Sequence, residues 1–188
     1  MKTTELKFEQ RTPEWFKART GCVTGSAVKN VLAKIKTGEA ATRKAYRTKL
    51  AVERLTGNSQ EDGYTNAAMQ WGTDQEPFAR GAYEAHAGLM VRETGFIRVV
   101  DEFIGYSPDG FAAEGLIEIK CPSSTTHFEY LTTGELPSEY KPQVMFGMWV
   151  TGTPWCDFIS YDPRFPEHMQ LFVKRVERDE AYIQMLAE

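Results

Sequence analysis

Gly105-Tyr-Ser-Pro-Asp109-Gly110, followed after five residues by Leu116-Ile-Glu118-Ile-Lys120-Cys-Pro122, is the stretch on which the reading of this chain turns. An acid stands just after a proline, a glycine-bearing turn follows, and then an acid and a lysine lie two apart within an apolar run. On a strand, residues two apart share a face, so Glu118 and Lys120 project together while Ile117 and Ile119 point the other way. With 104–109 as the preceding antiparallel strand and a turn through Ala112–Gly115, Asp109 returns beside that pair. Two carboxylates with an ammonium next to them can hold a hard divalent cation through oxygen and leave a lysine to handle water. A Glu and a Lys at alternate positions also occur as plain surface residues. Against that, charges between isoleucines, closed by Cys121-Pro122, mark a central strand, where a charge needs a reason.

Outward from that stretch, 188 residues predict a single domain, 1–188, large enough for a sizeable core. The chain is 41% hydrophobic and 26% charged, as ordinary soluble proteins are. Its apolar runs are too short to span a bilayer, and Met1-Lys-Thr-Thr-Glu lacks a signal-peptide core, so no membrane partner is expected. Cys22, Cys121 and Cys156 are odd in number and widely spaced, which indicates neither a disulfide framework nor a zinc site. His86, His127 and His168 are isolated. A reduced, cytoplasmic compartment is expected. The net charge of −4 argues at first against nucleic acid, but residues 34–54 hold seven Lys or Arg against two acids, a local +5 on an otherwise acidic chain. That segment, with Arg43, Lys44 and Arg47 at its centre, is either a solvated helix face or a footprint for a phosphate backbone.

Along the chain, Thr12-Pro13-Glu14-Trp15 opens a helix with a capping residue and proline at the first helical position. A loop over 20–25, a helix over 26–33, a basic helix over 40–56 stopped by Gly57, and a polar loop over 58–64 follow. A helix over 73–87 ends at Gly88. Strand character then covers 89–100, 103–107 and 116–120, with helices predicted over 125–133 and 137–150, a strand over 155–161 and a long terminal helix over 166–186. The order predicts an α/β domain with a central mixed β-sheet flanked by α-helices.

Five segments in register resemble the phage lambda exonuclease, or YqaJ-type viral recombinase, family of the PD-(D/E)-x-K nuclease superfamily, whose core is restriction-endonuclease-like. They are Trp15-Phe-Lys-Ala-Arg19-Thr-Gly21-Cys-Val-Thr24-Gly-Ser26, Trp71-Gly72-Thr-Asp-Gln-Glu76, Ser107-Pro108-Asp109-Gly110, Glu118-Ile-Lys120-Cys-Pro122 and Tyr140-Lys-Pro-Gln143-Val-Met-Phe-Gly-Met148-Trp149-Val150-Thr151. Tyr161-Asp162-Pro163-Arg164 also looks like the family. The departures are small-residue swaps such as Gly25, and a comparatively short C-terminus.

The resemblance implies that Asp109 and Glu118 bind metal together with the backbone carbonyl of Ile119. It implies that Lys120 orients and activates water, that Glu76 completes an acidic cluster and that Gln143 lines the site. Arg19, Ser26 and Ser107 would hold the 5′-terminal phosphate of DNA. It further implies a Mg²⁺-dependent 5′→3′ exonuclease, with two ions and Mn²⁺ as a possible substitute. The substrate would be the ends of linear duplex DNA, and the products 5′-mononucleotides and a 3′ overhang for recombination. A homotrimeric ring and a phage single-strand annealing protein as partner complete the expectation. An endonuclease or resolvase of the same superfamily, and a non-catalytic DNA-binding ring, are the alternatives. By themselves Thr73–Glu76 fits a capping box, Ser26 an N-cap, Arg19 a helix-end cation and Gln143 a core amide.

Overall fold

A computed structural model describes residues 1–60 and 65–188; the last part of the expected polar loop, 61–64, lies outside them. Seven helices and nine strands are assigned among the described residues, in the order β1 (Thr3–Leu6), α1 (Pro13–Arg19), β2 (Val23–Thr24), α2 (Val28–Val31), α3 (Ala41–Thr56), α4 (Ala67–Ala87), β3 (Val91–Arg92), β4 (Phe96–Val99), β5 (Ile104–Tyr106), β6 (Gly110–Ala112), β7 (Gly115–Lys120), α5 (Ser124–Thr133), α6 (Lys141–Thr151), β8 (Trp155–Tyr161), β9 (Leu171–Glu177) and α7 (Glu180–Ala187). The strands form two sheets, β1-β4-β5-β2 and β3-β6-β7-β8-β9. Both are mixed: β2 runs parallel to β5 and β7 parallel to β8, while the other pairs are antiparallel. The expected α/β architecture is present, with two sheets where one was anticipated.

β7 is the central strand of the larger sheet, and all its residues but Lys120 are buried. Its two faces go to different helices. Ile117 and Ile119 pack with Ala79 and Tyr83 of α4, and Leu116 packs with Val144, Met145 and Met148 of α6. Glu118 and Lys120 therefore belong to the α6 face, as the alternation requires. α6 also packs against β4 and β5, so one helix bridges the two sheets.

Several local expectations are corrected. The strand predicted over 89–100 is two strands, β3 and β4, in different sheets. Gly95 sits in the break, where a Cβ would lie 2.1 Å from the Phe8 carbonyl oxygen. β5 pairs with β4 and β2 rather than with β7, whose antiparallel partner is β6. The loop over 20–25 contains β2, and the helix over 26–33 is a single 3₁₀ turn followed by the four residues of α2. α4 begins at Ala67 instead of 73, capped by the Asn66 side chain on the Met69 N–H. Thr73 is therefore mid-helix, with its hydroxyl on the Met69 carbonyl, and the capping-box reading of Thr73–Glu76 is overturned.

The long terminal helix is the largest correction: Leu171–Glu177 is a strand paired residue for residue with all of β8. Leu171-Phe-Val-Lys-Arg-Val-Glu177 has enough apolar positions to imitate a helix face. An open edge on β8, whose residues are all buried, rewards pairing with a full ladder of backbone hydrogen bonds instead.

Candidate active site

Asp109 ends the turn before β6. With Gly110 opposite Ile117 in the antiparallel register, Asp109 falls across from Glu118 one step further along. Its Oδ2 accepts the Ile119 N–H at 2.7 Å, which orients the carboxylate along β7. Glu118 is 1% exposed and held by three donors. Lys120 Nζ bonds Oε1, Gln143 Nε2 donates to the same oxygen at 2.5 Å, and the Tyr106 hydroxyl donates to Oε2 at 2.7 Å. Gln143 comes from the first turn of α6, which places it over β7; it bonds Glu118 and is no mere core amide.

The electrostatics follow from this crowding. Burial, and then the Glu118 charge, push the Asp109 pKa up to about 8, with Lys120 opposing. Burial works against the Lys120 ammonium, but Glu118 and Asp109 outweigh it and hold the pKa above its ordinary value. Burial, followed by Glu118, raises the Tyr106 pKa well above the ordinary value, so its hydroxyl keeps its proton and donates.

Glu76 lies on the other side of Asp109, in a cavity of about 620 Å³ lined by both residues and by Arg11, Arg80 and Thr94. Its oxygens are taken by two cations: Oε2 accepts from Arg11 at 3.0 Å and Oε1 from Arg80 at 3.2 Å. Among the described residues no three His, Cys, Asp or Glu side chains converge into a metal cage. Asp109 and Glu118 converge, and Glu76, paired with its arginines, shares a cavity with Asp109 and adds to the rise in its pKa. Two carboxyl groups, one at the entry to β6 and one on β7, with the Ile119 backbone between them, are an all-oxygen donor set. That suits a cation which keeps water and binds through one or two carboxylates plus substrate phosphate. The arrangement fits such an ion.

Two residues before Asp109, Ser107 Oγ accepts from Trp15 Nε1 at 3.0 Å and from Arg19 Nη1 at 3.4 Å, and the Arg19 guanidinium stacks 4.0 Å over the Trp15 ring. Thr12 caps α1 on the Trp15 N–H, with Pro13 as the first helical residue as predicted. That helix delivers Trp15 and Arg19 one turn apart. Arg19 and Ser26 line a second cavity, about 710 Å³, with Trp15, Tyr46 and Met69. Ser26 is exposed in the 3₁₀ turn and caps no helix, because Ala27 holds the N-cap position of α2. Arg19 is engaged with Trp15 and Ser107 rather than dangling at the end of its helix. The structure thus brings Arg19 and Ser107 into contact and sets Ser26 on the same cavity.

The basic segment forms α3. Arg43 and Lys44 are exposed, while Arg47 makes a two-bond fork to Glu39, at 3.2 and 3.0 Å, which neutralises its charge locally.

Sequence reading missed Tyr106, Trp15, Arg11 and Gln10. Gln10 Nε2 donates to the carbonyls of Thr94 and Pro108, at 3.1 and 2.9 Å, and ties the N-terminal segment to the turn that bears Asp109. Arg80, four residues after Glu76 on a helix, was available as an i,i+4 pair; Arg11 and Gln10 act across more than sixty residues and had no local signal. In the Tyr161–Arg164 segment, Asp162 accepts from Arg164 Nε at 2.7 Å and Nη2 at 2.8 Å, and Arg164 lies 4.5 Å over Trp71 of α4.

The chain is similar to LHK-Exo, an alkaline exonuclease from Laribacter hongkongensis. Identity is 45% over 94% of this chain and 87% of that one, with a TM-score of 0.83. Against LHK-Exo in complex with dAMP the identity is 46%, the coverage is the same and the TM-score is 0.85. A phage-related exonuclease from Haemophilus somnus is 17% identical, with 88% of each chain covered and a TM-score of 0.65, a likeness of fold alone. No curated protein matches significantly. Residues 14–154 match the YqaJ-like viral recombinase domain, a span that contains Arg19, Glu76, Ser107, Asp109, Glu118, Lys120 and Gln143; the chain belongs to that family.

Proposed function

We propose that this chain is a divalent-metal-dependent DNA exonuclease that acts as one domain, 1–188, on the ends of linear duplex. It would degrade the 5′ strand in the 5′→3′ direction and leave a 3′ overhang for recombination. A DNA-hydrolysing role rests on family membership and on the 45% identity to an alkaline exonuclease. The observation that carries the chemistry is the buried Glu118 carboxylate, gripped by Lys120 and Gln143 and faced by Asp109.

Asp109, Glu118 and the Ile119 carbonyl would hold Mg²⁺, with two ions and Mn²⁺ as a substitute in the fuller form of the proposal. Bound there, the cation supplies positive charge against the negative charge that builds on the phosphoryl oxygens during hydrolysis. Lys120 presents an ammonium beside both carboxylates, where it can orient the attacking water and take part in moving its proton. Gln143 keeps the Glu118 carboxylate turned towards Lys120. Glu76, paired with Arg11 and Arg80 and lining the same cavity as Asp109, would complete the acidic cluster. Arg19, with Ser107 and Ser26, would receive the 5′-phosphate two residues from Asp109, a role suited to a planar fork already oriented by stacking on Trp15. LHK-Exo has been captured with dAMP, and a nucleoside monophosphate is the product expected here.

Arg43 and Lys44 would contact the phosphate backbone outside the site. A homotrimeric ring in the host cytoplasm, working with a single-strand annealing protein, completes the proposal. Linear and covalently closed circular duplex, each with and without Mg²⁺, test it together. Release of mononucleotides from the linear form only, and only with Mg²⁺, is expected. Cutting of closed circles would indicate an endonuclease instead, and binding without cutting of either would indicate a non-catalytic protein.

A further inference from the structure

Three donors hold the Glu118 carboxylate, and they divide unequally. Lys120 and Gln143 share Oε1; among the described residues Tyr106 is the one side chain bonded to Oε2. Tyr106 is 1% exposed and its ring is gripped on two sides by backbone that lacks side chains. A Cβ on Gly25 would stand 2.5 Å from the ring, and one on Gly147 would stand 2.6 Å from its Cζ and 2.9 Å from its hydroxyl oxygen. Gly147 follows Gln143 by one turn of α6. The helix that delivers an amide to Oε1 therefore also leaves the slot from which a hydroxyl reaches Oε2. Gly25 precedes Ser26, and Tyr106 precedes Ser107, so the same ring is wedged between the proposed phosphate pocket and the carboxylates.

Packing alone does not explain the hydroxyl. A phenyl ring would fill the slot equally well, and a buried O–H carries a desolvation cost that only a partner offsets. Here the partner is the residue whose rotamer matters most to the site. Hydrogen-bond donors behind a ligating carboxylate fix its direction and tune its hold on the ion.

We propose that Tyr106 is a positioning residue whose hydroxyl, locked between Gly25 and Gly147, fixes the Glu118 carboxylate and so sets the affinity of the site for a divalent cation. This rests on the reading of Asp109 and Glu118 as the cation-binding pair. The test is Tyr106→Phe, which keeps the ring and removes the hydroxyl, alongside Gly147→Ala, which keeps the hydroxyl and displaces it. Mg²⁺ binding to the protein alone is measured by calorimetry, and folding by circular dichroism and melting. The Mg²⁺ concentration for half-maximal hydrolysis of linear duplex is measured in parallel.

Tyr106→Phe should fold and melt cooperatively, bind Mg²⁺ about 10–100-fold more weakly, and regain the parental rate at saturating Mg²⁺. Gly147→Ala should shift the Mg²⁺ requirement in the same direction. Parental Mg²⁺ affinity in folded Tyr106→Phe would overturn the inference while leaving the nuclease reading intact. So would a lower rate at saturation with affinity unchanged. A parent protein that binds no Mg²⁺ would sink the cation-binding reading itself, and the inference with it.

Discussion

Lys120 shows how much a single side chain is asked to do. Its ammonium touches Glu118 and lies near enough to Asp109 to feel its charge, and among the described residues it is the one cation bonded to either carboxyl group proposed to hold the metal. Lys120→Ala should lower turnover by about 10²–10⁴-fold, the range for loss of a positioned proton-transfer group. Duplex binding should survive, because backbone contacts elsewhere are untouched. Single-turnover hydrolysis beside a binding titration separates the two.

Asp109 gives a pH signature with a definite sign. Its folded pKa is raised from 3.8 to about 8, so the folded state favours the protonated carboxyl. The associated stability is present below the unfolded pKa and is lost as pH climbs towards the folded one. In EDTA the melting temperature should therefore decline between pH 5 and pH 8. Mg²⁺ should restore it at the upper end, by binding the folded state alone. Asp109→Asn should flatten both effects in the same melting series.

Arg19 carries the third residue-scale expectation. A duplex with 5′-hydroxyl ends should be digested more slowly than one with 5′-phosphates. Arg19→Ala should erase the difference at a cost on the order of 1.5–3 kcal/mol, the value of a hydrogen bond to a charged group. Equal parental rates on the two ends would remove Arg19 from the phosphate role.

At the scale of elements, α3 separates charge that faces solvent from charge already spent. Its Gly57 takes the left-handed conformation, φ +67°, and closes the helix where the sequence predicted. The helix is pinned to the chain beyond α1: Glu53, 4% exposed, accepts the Gly21 N–H at 2.7 Å, and Arg54 donates to the Gly21 carbonyl at 2.8 Å. Arg43 and Lys44 project from this fixed helix, whereas Arg47 is committed to Glu39. Removing Arg43 and Lys44 together, in a Lys120→Ala background to prevent digestion, should reduce the slope of log affinity against log salt by about 1.8. Arg47→Ala should change it less. An unaltered slope in the double variant would make α3 a solvated face.

At the scale of the whole molecule, the basic helix and the active site lie on a chain that is acidic elsewhere, so one protomer offers only a patch to duplex DNA. A ring of three would gather such patches around a channel. Light scattering should give a native mass near three times 21.3 kDa, and a monomer that remains fully processive would refute the ring. Among the described residues no helix is long and apolar enough to cross a membrane.

The alternation around Glu118 and Lys120 was legible because period-two patterning is local. It assigned Ile117 and Ile119 to one face and the charges to the other before any neighbour was known. Helix ends at Gly57 and Gly88 were legible for the same reason, since a left-handed terminus is a property of one residue. What lay beyond reach was decided between distant segments. Leu171–Glu177 is a strand because β8 offers it a ladder. Glu76 leaves its expected cap because the helix starts six residues earlier, and it turns to Arg11, 65 positions away. Tyr106 finds Glu118 because α6 crosses both sheets with a glycine where the ring must pass. Sequence by itself determined the alternation that sets Glu118 and Lys120 on one face of a strand; the tertiary structure decided which distant side chains meet them, because hydrogen bonds and ring contacts between remote segments leave no periodic trace along a chain.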